Sequence, residues 1–175
     1  MMKKFLLTAA LLGVSFGAQA HDPSESNALM IDNAKQTLGT IDLVQGAKGV
    51  LIIVDLKNLP PGAHGFHIHH KGDCGDHDHF KNAGGHVTDG NTQHGLLNPN
   101  GPELGDLPNL IVHDDGTVHA EIYAPDLKIV GGTHALLDAD GSAFMIHDNP
   151  DDHHTQPIGG AGKRIACGVI KKNSE

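Results

Sequence analysis

The chain has 175 residues, with 12 basic against 21 acidic side chains and a formal net charge of −9, which excludes a nucleic-acid binder that depends on a basic surface. Hydrophobic residues make up 38% and aromatics 3%, with no Trp and one Tyr, so neither a large aromatic core nor a base-stacking platform is available. Against that background the 15 His are the informative residues, because so many imidazoles in one small domain point to metal ligation.

Residues 1–20 read as a secretory signal: Lys3 and Lys4 form a basic start, 5–16 an apolar run, and Ala18, Gln19 and Ala20 a small-residue cleavage site. The run is shorter than the ~20 residues a membrane span needs. We therefore expect one domain over 21–175, exported to the periplasm or beyond, with no membrane association once the signal is removed. Loss of Lys3 and Lys4 leaves 10 basic against 21 acidic side chains, a net charge of −11. Export also makes the two cysteines informative, since Cys74 and Cys167 would meet an oxidising compartment and are expected to pair.

From residue 28 onward short apolar segments alternate with Gly, Asp, Asn and Pro, and no helix-period segment of any length occurs. Strands are predicted over 28–33, 37–43, 49–57, 64–69, 110–113, 117–124, 142–147 and 164–170, with Asp-Gly turns at Asp115-Gly116 and Asp140-Gly141. About eight short strands imply an all-β fold, an antiparallel sandwich or barrel. Two segments, 70–109 and 148–163, are rich in Gly, Pro, His and Asp and hold little that could form a strand. Long irregular loops in a compact domain are usually functional or disordered, and a metal that fixes the first loop suits its histidines better than disorder does.

His67 and His69 lie two apart on a predicted strand, which aims both imidazoles at one face. His86 and His94 in the long loop and His147 at the end of another strand add separate imidazole sources. Four imidazoles suit Cu(II) or Zn, and Cu(II) wins on affinity at nitrogen sites.

The stretches 62–69 (GAHGFHIH), 83–86 (AGGH), 105–108 (GDLP), 144–147 (FMIH) and 159–170 (GGAGKRIACGVI) resemble, in order and across the whole domain, the secreted bacterial copper/zinc superoxide dismutases. The resemblance implies a Greek-key β-sandwich or barrel with two long functional loops. It implies copper held by His67, His69, His86 and His147, with His86 bridging to zinc, and zinc held by His86, His94 and Asp106. The fourth zinc position, usually histidine, is Glu103 in the motif GPELGD of 101–106. A carboxylate oxygen can ligate zinc at ~2.0–2.2 Å, so zinc bound through Glu103, weak or absent zinc, and recruitment of His77 or His79 all stay open. Asp151 is expected to link a copper ligand to a zinc ligand. His70, His153 and His154 match no family ligand and are read as surface histidines or weak metal-capture groups, and His21 as the expected mature N-terminus, whose amine and imidazole could chelate copper.

Arg164 is the chain's only arginine and falls where the resemblance implies an anion-binding group beside copper, with the Cys74–Cys167 pair tying the long loop to its strand. The implied activity is dismutation of superoxide to O2 and H2O2 by a cycling copper, with His86 storing a proton between half-reactions. The alternative is a periplasmic copper- or zinc-buffering protein with the same donors. Family members occur as monomers and as dimers; a homodimer is the expected assembly.

Overall fold

The computed structural model describes residues 26–76 and 78–173. The expected signal segment, His21 and His77 lie outside the described residues. Among the described residues nine strands form: β1 (Ser26–Asp32), β2 (Thr37–Gln45), β3 (Gly49–Leu56), β4 (Gly62–His64), β5 (Phe66–His69), β6 (Leu110–Val112), β7 (Val118–Pro125), β8 (Ala143–His147) and β9 (Arg164–Lys172). A single 3-10 turn (Lys81–Ala83) is the only helical element among the described residues, and no helix there is long and apolar enough to cross a membrane.

Seven strands make one antiparallel sheet in the order β5-β8-β9-β1-β2-β3-β7, and β4 pairs with β6. Because β4 and β5 are consecutive and β6 lies against β7, the sheet curls and its ends approach each other. The all-β expectation is met. The connections from β3 to β4 and from β7 to β8 cross between non-adjacent strands, a Greek-key arrangement.

Period-two patterning explains the core. In β3, Val50, Ile52, Val54 and Leu56 are buried on one face, and Ala28, Met30, Ile41, Leu43, Phe66, Ile68, Phe144 and Ile146 meet them inside. Burial of each such side chain contributes roughly 1.5–3 kcal/mol. Strand β8 is buried at all five positions. Phe144 and Ile146 join the main core, whereas Ala143 and Met145 face a second cluster with Cys74, Phe80, Ala83 and Cys167. The first long loop thus covers the outer face of β8 and β9, and this covered face is where the site lies.

Two features depart from the sequence pattern. The strand predicted over 64–69 breaks at Gly65, whose N–H donates to the Asn149 carbonyl while its own carbonyl accepts from the His147 N–H. A Cβ on Gly65 would stand 2.7 Å from the Ala161 Cβ, so a side-chain-free residue is required for strand and second loop to touch. Residues 126–142 form a third long connection, in which Leu127, Ile129 and Leu136 are buried in the core; short apolar steps within a Gly- and Asp-rich stretch hid its packing role.

Gly65→Ala is expected to destabilise the protein by about 1–3 kcal/mol through overpacking, and Ala161→Gly in that background should recover part of the loss. Thermal unfolding of the two variants checks this; no recovery would place the strain elsewhere.

Candidate metal centre

Strand β5 sends Phe66 and Ile68 inward and His67 and His69 toward the covering loops. Pairing of β5 with β8 and of β8 with β9 sets His67 opposite Met145 and His147 opposite Arg164. The first loop folds back along β5, with isolated bridges joining His69 to His86 and His67 to Asp106. His67, His69, His86, His94 and His147 are all buried, and ring centroids lie 4.2 Å apart for His67 and His86, 5.0 Å for His67 and His147, and 5.2 Å for both His69–His86 and His86–His94.

Each of four imidazoles is fixed by one ring nitrogen. His67 Nε2 is 2.8 Å from Asp151 Oδ2, His69 Nδ1 donates to the Gly84 carbonyl at 2.8 Å, His147 Nδ1 to the Gly162 carbonyl at 3.1 Å, and His86 Nδ1 lies 3.0 Å from both Glu103 Oε2 and Asp106 Oδ1. The opposite nitrogens, His67 Nδ1 and Nε2 of His69, His86 and His147, are buried with no hydrogen-bond partner. An unpartnered buried polar atom costs on the order of 1–3 kcal/mol, so four of them gathered in one place are a ligand set rather than a packing accident. The partnered nitrogen sets the tautomer and aims the free lone pair.

A second group adjoins the first. His94 Nδ1 is 2.7 Å from Asp106 Oδ1, and His94 Nε2 is 3.2 Å from Asp151 Oδ1. Asp106 Oδ2 accepts the N–H groups of Gly95 at 2.7 Å and Glu103 at 2.9 Å. Donors around a tetrahedral ion at ~2.0–2.1 Å stand about 3.3 Å from one another, so the spacings among His86, His94, Asp106 and Glu103 need only a slight expansion. By mutual approach within 4.8 Å the donors sort into His67, His69 and His147, and into His67, His86, His94 and Asp106. Glu103 enters this region through its contact with His86.

Burial and hydrogen bonding give the two sides opposite proton affinities. Desolvation lowers the pKa of His67 to about 4, of His147 to about 3, and of His69 well below its ordinary value. Burial also opposes charge on His86 and His94, but their hydrogen bonds to carboxylates outweigh it, and His94 is raised to about 10. Burial works against ionised Asp106 and Asp151 as well, yet hydrogen bonds from these imidazoles and from backbone N–H groups hold both carboxyls well below the usual range.

Arg164 donates from Nη1 to the Phe80 carbonyl at 2.8 Å and from Nη2 to the Gly84 carbonyl at 2.6 Å. The Gly84 carbonyl therefore holds both His69 and Arg164. The Cys74–Cys167 disulfide closes a 93-residue separation and joins the loop to β9, as expected; by chain entropy a loop of that size contributes about 4–5 kcal/mol.

Several participants escaped the sequence reading. Asn109 clamps Asp151 by donating from Nδ2 to its carbonyl and accepting its N–H at Oδ1, both at 2.8 Å. The buried His64 ring lies between the carbonyls of His147 at 2.7 Å and Pro60 at 2.8 Å. His153, read as a surface residue, is half-buried, and its N–H donates to Asp151 Oδ1 at 2.6 Å. None carries a local signal, because each acts through a contact distant in sequence or through its backbone. His70, His79 and His154 are exposed, as a surface reading requires.

The fold and the donor set define an all-β metalloprotein with two adjoining metal positions. Residues 37–170 match the family model of copper/zinc superoxide dismutase (SODC). The superoxide dismutase [Cu-Zn] of Caulobacter vibrioides is 57% identical over 136 residues, 76% of this chain and 78% of that protein. Among solved structures, the copper/zinc superoxide dismutase of Brucella abortus superposes with a TM-score of 0.68 at 34% identity, covering 84% of this chain and all of that one. A SOD-like protein of Bacillus subtilis superposes at 0.78 with 39% identity, covering 82% and 96%. The chain belongs to the copper/zinc superoxide dismutase family, and membership implies copper and zinc as its metals.

The opposed proton affinities fix how stability of the chelator-treated protein varies with pH. His67, His69 and His147 stay neutral in the fold but bind protons once unfolded, so stability falls as pH drops below about 6.5. His86 and His94 hold protons that the unfolded chain releases, so stability also falls as pH rises from about 6.5 toward the His94 value of about 10. Thermal midpoints should therefore peak near neutrality; a profile still rising at pH 9 would contradict these assignments.

Proposed function

We propose that this chain is an exported superoxide dismutase that converts two superoxide anions and two protons to O2 and H2O2. The observation that carries the reading is the convergence of four unpartnered imidazole nitrogens beside an arginine held by the same carbonyl as one of them.

Copper would be held by His67 Nδ1 and by Nε2 of His69, His86 and His147. Zinc would be held by Nδ1 of His86 and His94, by Asp106, and by Glu103 in the place of the usual histidine. Copper, when bound, supplies the one-electron couple that takes an electron from one superoxide and returns it to the next. The remaining work belongs to the chain. Asp151, Gly84 and Gly162 hold the imidazoles so that little reorganisation accompanies a change of charge. Arg164 spends two N–H groups on the Phe80 and Gly84 carbonyls and keeps others of its five for charge-assisted bonds to an anion.

His86 differs from the other three imidazoles, since both its ring nitrogens face donor groups: Nε2 lies unpartnered among the copper donors, and Nδ1 stands 3.0 Å from Glu103 and Asp106. With Nδ1 held on the zinc side, Nε2 is the atom that would carry a proton the peroxide product needs. The net charge of −11 left by removal of 1–20 repels superoxide at long range, so the local positive field of Arg164, with Lys163 adjacent to it in sequence and Lys71 two residues past His69, must dominate within about one Debye length, ~8–10 Å. The basic start and small-residue cleavage site of 1–20 support export to the periplasm, and a buffering protein would leave the placement of Arg164 without a purpose.

Protein taken from the exported fraction should contain one copper and one zinc per chain by elemental mass spectrometry, and absence of copper under copper-replete growth would refute the redox reading. Arg164→Glu should slow dismutation by more than about tenfold, the loss of a charge-assisted bond, with copper content unchanged; an equally fast variant would favour metal buffering. If Glu103 ligates zinc, Glu103→Ala should weaken zinc binding by more than the ~10–100-fold that loss of a mere supporting partner costs. A smaller effect in a metal-competition titration would reduce Glu103 to a hydrogen-bond partner of His86.

A further inference from the structure

The β1–β2 turn reaches the covering loop at the point that aims Arg164. Asp32 Oδ1 accepts the N–H groups of Ala34 and Gln36 at 2.8 Å, which fixes the turn. Lys35 sits there in the left-handed region at φ 62°, an uncommon conformation for a residue with a side chain. From this base the Lys35 ammonium donates to the carbonyls of Cys74 and Asp76, both at 3.0 Å, and stands 4.9 Å from the centroid of the Phe80 ring. The same turn grips the far strand, because Asn33 Nδ2 donates to the Arg164 carbonyl at 3.0 Å.

Phe80 is the shared element. Its ring is buried against Cys74, Ala83, Met145 and Cys167 and faces the Lys35 ammonium, while its carbonyl accepts Arg164 Nη1. Phe80 is itself left-handed at φ 56°, a conformation that costs free energy and persists only where surrounding contacts impose it. The disulfide fixes Cys74 at one end of the segment, and the Arg164–Gly84 bond fixes the other. Between them Asp76 accepts the N–H groups of Asp78 and Asn82, and Lys35 holds the Cys74 and Asp76 carbonyls and faces the Phe80 ring.

We propose that Lys35 is a positioning residue for the anion-binding arginine: by holding the Cys74 and Asp76 carbonyls and the Phe80 ring, it keeps the Phe80 carbonyl where it directs the Arg164 guanidinium. The inference rests on the reading of Arg164 as the group that receives superoxide. Lys35 need not approach the anion; its contribution is the rotational restriction of Arg164. A charged ammonium is suited to the task because it can satisfy several acceptors and a ring face at once.

The test compares wild type, Lys35→Met and Lys35→Arg, each also combined with Arg164→Ala, as copper- and zinc-loaded protein. Azide affinity, read from the copper absorption spectrum at high salt to suppress long-range attraction, should fall about three- to tenfold in Lys35→Met, as expected for loss of one or two hydrogen bonds. It should return in Lys35→Arg, and Lys35→Met should have no further effect in the Arg164→Ala background. Because the chain has a single arginine, nitrogen-15 labelling gives one guanidinium spin system. In the copper(I)-reduced, diamagnetic holoprotein its Nη protons should be resolved in wild type and averaged by free rotation in Lys35→Met.

Unchanged azide affinity and an unchanged guanidinium signal in Lys35→Met would overturn the proposal. So would an equal loss of affinity with and without Arg164, since Lys35 would then act as an independent charge. An Arg164→Ala variant that binds azide like wild type would instead defeat the underlying assignment of Arg164, an outcome distinct from the other two.

Discussion

The buried carboxylate of Asp151 is the constraint on which the rest of the site depends. One of its oxygens meets Nε2 of His67 and the other Nε2 of His94, so a single side chain orients one imidazole of the proposed copper set and one of the proposed zinc set. A buried carboxylate without partners would be prohibitively costly. Here Asn109 holds its backbone from both sides, and the His153 N–H donates a third hydrogen bond to the carboxylate. Because both bonded nitrogens are Nε2, both rings present Nδ1 inward, and the two positions cannot be oriented independently.

Around this pivot the chain uses the outer face of a barrel rather than its interior. The core is filled by alternating apolar residues, whereas the outer face of β5, β8 and β9 is covered by the long loops and becomes an interior of a different kind. Its floor is rigid sheet carrying His67, His69, His147 and Arg164; its roof is loop carrying His86, His94, Glu103, Asp106 and Asp151. Donors on two separate elements require the roof to be tied down. The disulfide, the Gly84 carbonyl and the Gly65–Ala161 contact are the ties, each joining loop to strand at a different point.

Charge is arranged on two length scales. The chain is strongly acidic, yet the site presents neutral imidazoles on the proposed copper side and pairs its carboxylates with His86 and His94 on the proposed zinc side. Arg164, half-buried, spends two of its N–H groups on backbone carbonyls, and Asp76 acts on it through charge alone. Its hydrogen bonds to neutral acceptors leave the guanidinium's positive charge in place beside the imidazoles.

Much of this was legible in the chain itself. Period-two runs marked the strands because a half-buried pleat demands alternation, and His67 and His69 shared a face for the same reason. Gly- and Asp-rich stretches with ligand-type side chains marked the loops, and the two cysteines named their own partner. Glu103 was visible as a departure from the family pattern, although its distance from His86 was not. What only tertiary structure decided was which nitrogen of each imidazole is spent and which is free, since that depends on carbonyls and carboxylates brought in from far along the chain. The same holds for Asn109, His64, His153 and Lys35, whose roles are contacts across 39 to 83 residues or backbone bonds. Local propensity cannot encode such pairings; they exist only after the barrel has closed and the loops have settled on its outer face.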